Sequence, residues 1–197
     1  MRFFWNFVTD FGDTAVTLPL AAATIAFLFF SEWPRAALNL ALALAGCGIA
    51  IGLVKLALES CGHSLLHTDI TNPSGHAAIS ATVYGCLAVL FGSNLPAGRR
   101  WLPVAGGFIL VSGIALSRVV LDLHSPPEVA IGLSIGVAAA AIFFRTLPAQ
   151  PAGAFRSWWL AIIGVAVMAV MHGSRWPIEE VIRSIVHLIR HSVPSCA

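Results

Sequence analysis

The stretch Ser117-Arg118-Val119-Val120-Leu121-Asp122-Leu123-His124-Ser125-Pro126-Pro127-Glu128 interrupts a chain that is otherwise mostly apolar. One apolar run ends at Arg118, the imidazole of His124 follows, and a new apolar run opens at Glu128. Charged side chains are expensive in lipid, and those that persist at the ends of spanning segments usually mark a site. A second polar cluster, Pro73-Ser74-Gly75-His76, stands just before another apolar run, and Lys55 closes the run before that. These three pieces are read as parts of one anion-binding site.

Working outward, the 197 residues are 58% hydrophobic and only 10% charged, with a mean hydropathy of +0.87. Soluble domains carry about a quarter charged residues, so the composition implies an integral membrane protein. One membrane-embedded domain over 1–197 is the expected layout. The net charge of +2, with no basic tail, excludes a nucleic-acid partner. No small-residue cleavage site follows the first apolar run, so the N-terminus does not read as a signal peptide. The four cysteines show no C-x-x-C pair and no zinc spacing. Cys47 and Cys86 fall inside apolar runs as buried thiols, and Cys61 and Cys196 lie in polar segments where a disulfide would be feasible.

Six apolar runs are free of charge through their middles, at about 14–30, 36–54, 77–92, 101–117, 129–144 and 157–171. Several fall short of the ~20 residues of a typical spanning helix, and their polar ends must supply the remainder. The expected fold is therefore all-α, a polytopic bundle of about six transmembrane helices. Gly132-x-x-x-Gly136 reads as a small-residue packing face, where two helices approach closely. Residues 1–13 place Phe4, Phe7, Val8 and Phe11 on one helical face beside two aspartates, a segment suited to the membrane interface or a loose tail. Residues 176–191 line Ile178, Val181, Ile182, Ile185, Val186 and Ile189 on one face, opposite Glu179, Glu180, Arg183, His187 and Arg190. That pattern predicts an amphipathic interfacial helix.

Six spans place the connections alternately on two sides. One side receives Arg35, Arg99, Arg100, Arg145 and Arg156 against a lone acid, Glu32. The other receives the remaining charges and all 7 histidines. Excess arginine in short loops marks the cytoplasmic face. Both termini and the histidine-rich side are thus expected outside, facing the periplasm from a bacterial inner membrane.

Pro73-Ser74-Gly75-His76 precedes an Ala-rich helical run. A helix start offers unpaired backbone N–H groups and a positive dipole end, which bind anions. Gly75 permits close backbone approach, Ser74 adds a hydroxyl, and His76 stands where a leaving oxygen needs a proton. The bland alternative is a serine N-cap after a helix-stopping proline. Ser125-Pro126-Pro127-Glu128 likewise fits a capping box. Glu128 is then a cap, a partner orienting His124, or both. Arg118 presents a fork of donors matched to phosphate oxygens, or else snorkels to the interface. Asp122 rivals Glu128 as a partner, for Arg118 or for His124.

Together these residues resemble the type 2 phosphatidic acid phosphatase superfamily, which includes membrane lipid phosphatases and vanadium haloperoxidases. That family is read by three blocks, K-x6-R-P, P-S-G-H and S-R-x5-H-x3-D. The second block is intact at Pro73 to His76, and the third has Glu128 in place of Asp. The first survives only as Lys55, because Gly62 and His63 occupy the Arg-Pro positions. The resemblance covers roughly residues 55–145. It implies a lipid phosphate or pyrophosphate substrate, a phosphohistidine on His124 oriented by Glu128, and His76 as proton donor and later base. Lys55, Arg118, Ser74 and Gly75 would hold the phosphoryl group, with His63 or Arg175 compensating for the missing arginine. It implies no cofactor and no metal.

Other readings compete. A phosphotransferase would pass the phosphoryl group to a second lipid instead of water. A metal-dependent enzyme or transporter would use His63-x-x-x-His67 with His76 or Asp69, although Gly62 and the turn-like 68–73 favour a loop there. A non-catalytic lipid-binding protein would fit the degenerate first block. A haloperoxidase does not suit so apolar a chain.

Overall fold

The structure, a computed structural model, describes residues 1–66, 70, 72–150 and 157–174. All regular structure among them is helical: α1 (Arg2–Asp10), α2 (Thr14–Phe30), α3 (Pro34–Leu66), α4 (Gly75–Ser93), α5 (Trp101–Val120), α6 (Pro126–Thr146) and α7 (Ser157–Met171). The predicted amphipathic segment at 176–191 lies outside the described residues, as do Arg156, Arg175, His67, Asp69 and Cys196.

The six predicted apolar runs map onto α2 to α7 with ragged ends. Among the described residues, five stretches are long and apolar enough to cross a membrane: Arg2–Phe30, Pro34–Leu58, Gly75–Ser93, Ala97–Val120 and Pro126–Thr146. The sixth run, α7, is apolar but only 15 residues long. Leu38, Leu42, Ile49, Phe108, Ile109 and Val165 point outward from the bundle, more than half exposed. So large an apolar surface suits a hydrocarbon solvent.

Two expectations change. α3 does not stop near residue 54 but continues through Gly62 and His63 to Leu66. Its 33 residues span roughly 50 Å, well beyond the ~30 Å hydrocarbon core. A single glycine costs a helix only about 1 kcal/mol, too little to end one this long. The loop expected around His63 is therefore helix. The N-terminal segment is also not a loose tail: Phe4 and Phe7 are exposed, while Thr9, Gly12 and Asp13 are buried. Gly12 fits because a Cβ there would meet Ile114 of α5 at 2.5 Å. The Tyr84 hydroxyl of α4 donates to Phe11 O at 2.6 Å. Thr9, Gly12 and Asp13, together with Val8 and Phe11, thus pack residues 1–13 into the bundle.

α4 is the central helix, buried along most of its length. α5 and α6 each pack along it but scarcely touch each other. On α6, a Cβ at Gly132 would strike Ser74 O, and one at Gly136 would strike Ala78 O. The pair of glycines therefore seats α6 directly on the first two turns of α4, the close approach that small residues allow. Farther along, the separation of α5 from α6 leaves an apolar cleft of about 620 Å³, with Gly85, Ala88, Phe108, Ala141 and Phe144 among its lining and Arg100 at its rim.

The bundle has two distinct ends. At one, Asn39 Nδ2 donates to Thr146 O (2.6 Å) and Gln150 meets Asn94 (3.0 Å), grouping the connections that carry Arg35, Arg99, Arg100 and Arg145. At the other, His172 after α7 lies against Phe7 and Phe11, with ring centroids 4.5 and 4.6 Å apart. The N-terminal segment and the end of α7 thus share the end opposite the arginines.

Candidate active site

The histidine end gathers the starts of α4 and α6. Ser74 caps α4 in extended conformation, its Oγ accepting from Ala77 N at 3.3 Å. The bland reading of Ser74 as an N-cap therefore holds. A hydroxyl that accepts still has a proton to donate. Past the cap, the first backbone N–H groups of α4 have no intrahelical partner and carry the positive end of the helix dipole.

Glu128 ties this helix start to that of α6. Its Oε2 accepts from Ser125 N at 3.0 Å, the return half of a capping box. Oε1 accepts from Asn72 N at 2.8 Å, and its backbone carbonyl accepts from Ser74 N at 3.0 Å. Oε2 also stands 3.5 Å from His124 Nδ1. The carboxylate is thus both cap and histidine partner, held by two amides so that its direction is fixed. It is 7% exposed, and His124 is also 7% exposed. In so dry a setting each charge interaction is stronger than in water.

Asp122 is no rival. It is exposed and adopts φ 56°, the left-handed turn that ends α5. Leu123 N and His124 N both reach back to Arg118 O, at 3.0 and 3.2 Å. A short side chain tolerates this conformation best. Asp122 is therefore a turn residue, and its turn delivers His124 inward.

Arg118 is only 6% exposed, which excludes the snorkelling alternative. Its Nη1 lies 3.3 Å from Thr9 Oγ1. Lys55 is 3% exposed within α3, and its Nζ comes within 3.9 Å of the position a Gly75 Cβ would take. The lysine ammonium therefore covers the glycine at the start of α4. His76, one residue on, places Nε2 3.3 Å from Asp13 Oδ2.

The structure thus brings Lys55, Ser74, Gly75, His76, Arg118, His124 and Glu128 to one end of the bundle. It leaves Asp122 at the surface. The side chain of His63 and the whole of Arg175 lie outside the described residues. Among the described residues, no group of three or more His, Cys, Asp or Glu could hold a metal ion. Cys47 and Cys86 are buried free thiols, as expected.

The profile of the PAP2 superfamily matches residues 55–152, beginning on Lys55 and running through α4 to α6. An uncharacterised 22.5 kDa protein in the cps region of Klebsiella pneumoniae is 30% identical over 186 residues, covering 92% of this chain and 89% of that one. The chain belongs to the PAP2 superfamily. No solved structure matches it. Membership of the PAP2 superfamily supports a phosphatase-type activity, and the apolar helices make this member a membrane protein.

Two residues at the site, Thr9 and Asp13, lie outside the segment matched by the PAP2 profile and were missed from sequence. Asp13 carried one legible signal, as an N-cap residue before the first apolar run. Its meeting with a histidine 63 positions away had none.

Proposed function

We propose that this protein is an integral membrane phosphatase of lipid phosphates or pyrophosphates, working through a phosphohistidine on His124. The observation that carries the reading is Glu128. One carboxylate accepts from the backbone before α4 and at the start of α6, and stands 3.5 Å from the His124 ring. Nδ1–H of His124 directed at Glu128 leaves the Nε2 lone pair for attack.

Nε2 forms a bond to phosphorus as the phosphorus–oxygen bond of the leaving group breaks. The electron pair stays on that oxygen, and His76 supplies its proton. Water then attacks the phosphorus and gives its proton to His76, while the Nε2–phosphorus bond breaks with its electron pair returning to Nε2 and inorganic phosphate leaves. Lys55, Arg118, the Ser74 hydroxyl and the first N–H groups of α4 stabilise charge on the transferring oxygens, the main protein contribution to such chemistry. The first-block arginine is absent, so Lys55 takes a larger share.

An amphiphilic substrate fits this site better than a soluble one. The head-group end is polar and cationic, and the cleft between α5 and α6 has a lining suited to hydrocarbon. Undecaprenyl pyrophosphate or monophosphate, phosphatidic acid, phosphatidylglycerophosphate and lipid A phosphates all satisfy this chemistry. We place the site and both termini on the periplasmic face, with the arginine end in the cytoplasm. One domain spans the chain.

The test is phosphate release by purified protein across these lipids, with EDTA present. Release without metal is expected. His124→Ala should lower it at least about a thousandfold with the helical content unchanged. Unchanged release by His124→Ala overturns the reading.

A further inference from the structure

The N-terminal segment supplies a side chain that the three motif blocks do not contain. Asp13 has two carboxylate oxygens with separate tasks. Oδ1 accepts from Ala15 N at 2.8 Å and caps α2. Oδ2 faces His76 Nε2 at 3.3 Å. Both side chains are largely buried, 17% exposed for His76 and 11% for Asp13. Thr17 Oγ1 donates to Asp13 O at 3.0 Å, while Tyr84 holds Phe11 and Gly12 abuts Ile114. The carboxylate therefore stands on a fixed mount. The same segment reaches Arg118 through Thr9.

We propose that Asp13 is the positioning residue for His76, a partner to it as Glu128 is to His124. This rests on the phosphatase reading above and extends it to a part of the chain outside the family match, which begins at residue 55. With Nε2–H donated to Asp13, Nδ1 is the atom that faces the reaction. In the first step the Nδ1–H bond breaks and its proton goes to the leaving oxygen, which keeps the electron pair of the broken phosphorus–oxygen bond. In the second step Nδ1 takes a proton from the attacking water. Asp13 stays ionised throughout and keeps the Nε2 proton in place on the ring. It fixes the tautomer and the orientation of the ring.

The site would thus hold two carboxylate–imidazole pairs, one for the nucleophile and one for the acid. Glu128 belongs to the third motif block. Asp13 comes from a helix cap far outside it. Its place in the chain explains why motif spacing does not reveal it.

The discriminating experiment compares leaving groups. An alkyl phosphate such as phosphatidic acid needs its departing oxygen protonated, whereas p-nitrophenyl phosphate does not. Asp13→Asn retains a residue that caps helices well, so α2 keeps its start. Turnover of phosphatidic acid should fall roughly 10- to 100-fold, within the range general acid catalysis supplies. Phosphoenzyme formation from p-nitrophenyl phosphate should change less than about threefold. Asp13→Ser, also a good cap but too short to reach His76, should behave alike. Equal losses on both substrates, or none on either, overturn the proposal.

A measurement without turnover stands beside it. Histidine ¹⁵N spectra should show the resting His76 protonated on Nε2, and Asp13→Asn should change that signal. A wild-type signal that reports no Nε2 proton, or one left untouched by the substitution, overturns the pairing. Failure of the phosphatase reading is separable, because His124→Ala would then leave phosphate release intact whatever Asp13 does.

Discussion

The two ends of the α4–α6 pair are built on opposite principles. At the histidine end, Gly132 and Gly136 bring α6 onto the backbone of α4, and Glu128 locks the two helix starts together. Toward the arginine end α5 and α6 diverge around α4, leaving a cleft with an almost wholly apolar lining. At the first end Ser74, Glu128 and Asp13 meet specific partners in fixed directions. The second asks only for apolar volume, which a bilayer can fill. Precision is concentrated where dipoles and charges must be aimed, because electrostatic stabilisation depends on atom placement while hydrocarbon contact does not.

That contrast can be attacked directly. The largest effect is expected from Glu128→Ala, which removes the acceptor of two backbone amides and the partner of His124. Phosphate release should fall roughly 100- to 10,000-fold, and stability should drop by about 2 kcal/mol through the orphaned N–H groups. Release assays and unfolding in detergent read the two losses separately. A variant that keeps near-normal release would show that the lock has no part in the chemistry.

A smaller effect comes from the packing glycines. Gly132→Ala drives a methyl group into Ser74 O, and overpacking of this kind costs about 1–3 kcal/mol. The melting temperature should fall by roughly 5 °C. Gly106, exposed on α5, has nothing within 4 Å of the place an alanine methyl group would occupy, so Gly106→Ala should hold or raise the melting temperature. Equal responses from the two would erase the distinction between tight and open contacts.

The smallest effect belongs to the cleft. Ala141→Trp fills part of it from an exposed position on α6. Stability should stay within about 0.5 kcal/mol of the parent. Release from a short-chain phosphate should be unchanged, while KM for a long-chain lipid rises about threefold, as steady-state assays would read it. A loss of kcat on both substrates would tie the cleft to the chemistry.

Periodicity and composition were enough for the helical bundle, because apolar runs of this length bury their backbone polar groups only as helices. They located α2 to α7 to within a few residues at most ends. They failed at α3, where Lys55 and Gly62 suggested an ending that the helix overrides. They left α1 between an interfacial segment and a loose tail, and did not show that Val8 and Phe11 pack on the core while Phe4 and Phe7 stay exposed. In a membrane the most apolar face need not point inward, so the usual rule lost its force.

The candidate site was legible in part. Residue types and short spacings at the starts of α4 and α6 and the end of α5 brought forward Ser74, Gly75, His76, Arg118, His124 and Glu128, since a cap and its neighbours are set by local geometry. Local sequence could not decide between Asp122 and Glu128, because the choice rests on a left-handed turn. It could not reach Asp13 or Thr9, nor show Lys55 lying over Gly75, because those meetings join residues 20 to 109 positions apart. By itself the chain determined which segments enter lipid and which polar residues cannot sit there without purpose. Only the folded bundle decided which of those residues meet at one end, because pairing across helices depends on how the cylinders are rotated and seated, and small residues such as Gly132 and Gly136 set that.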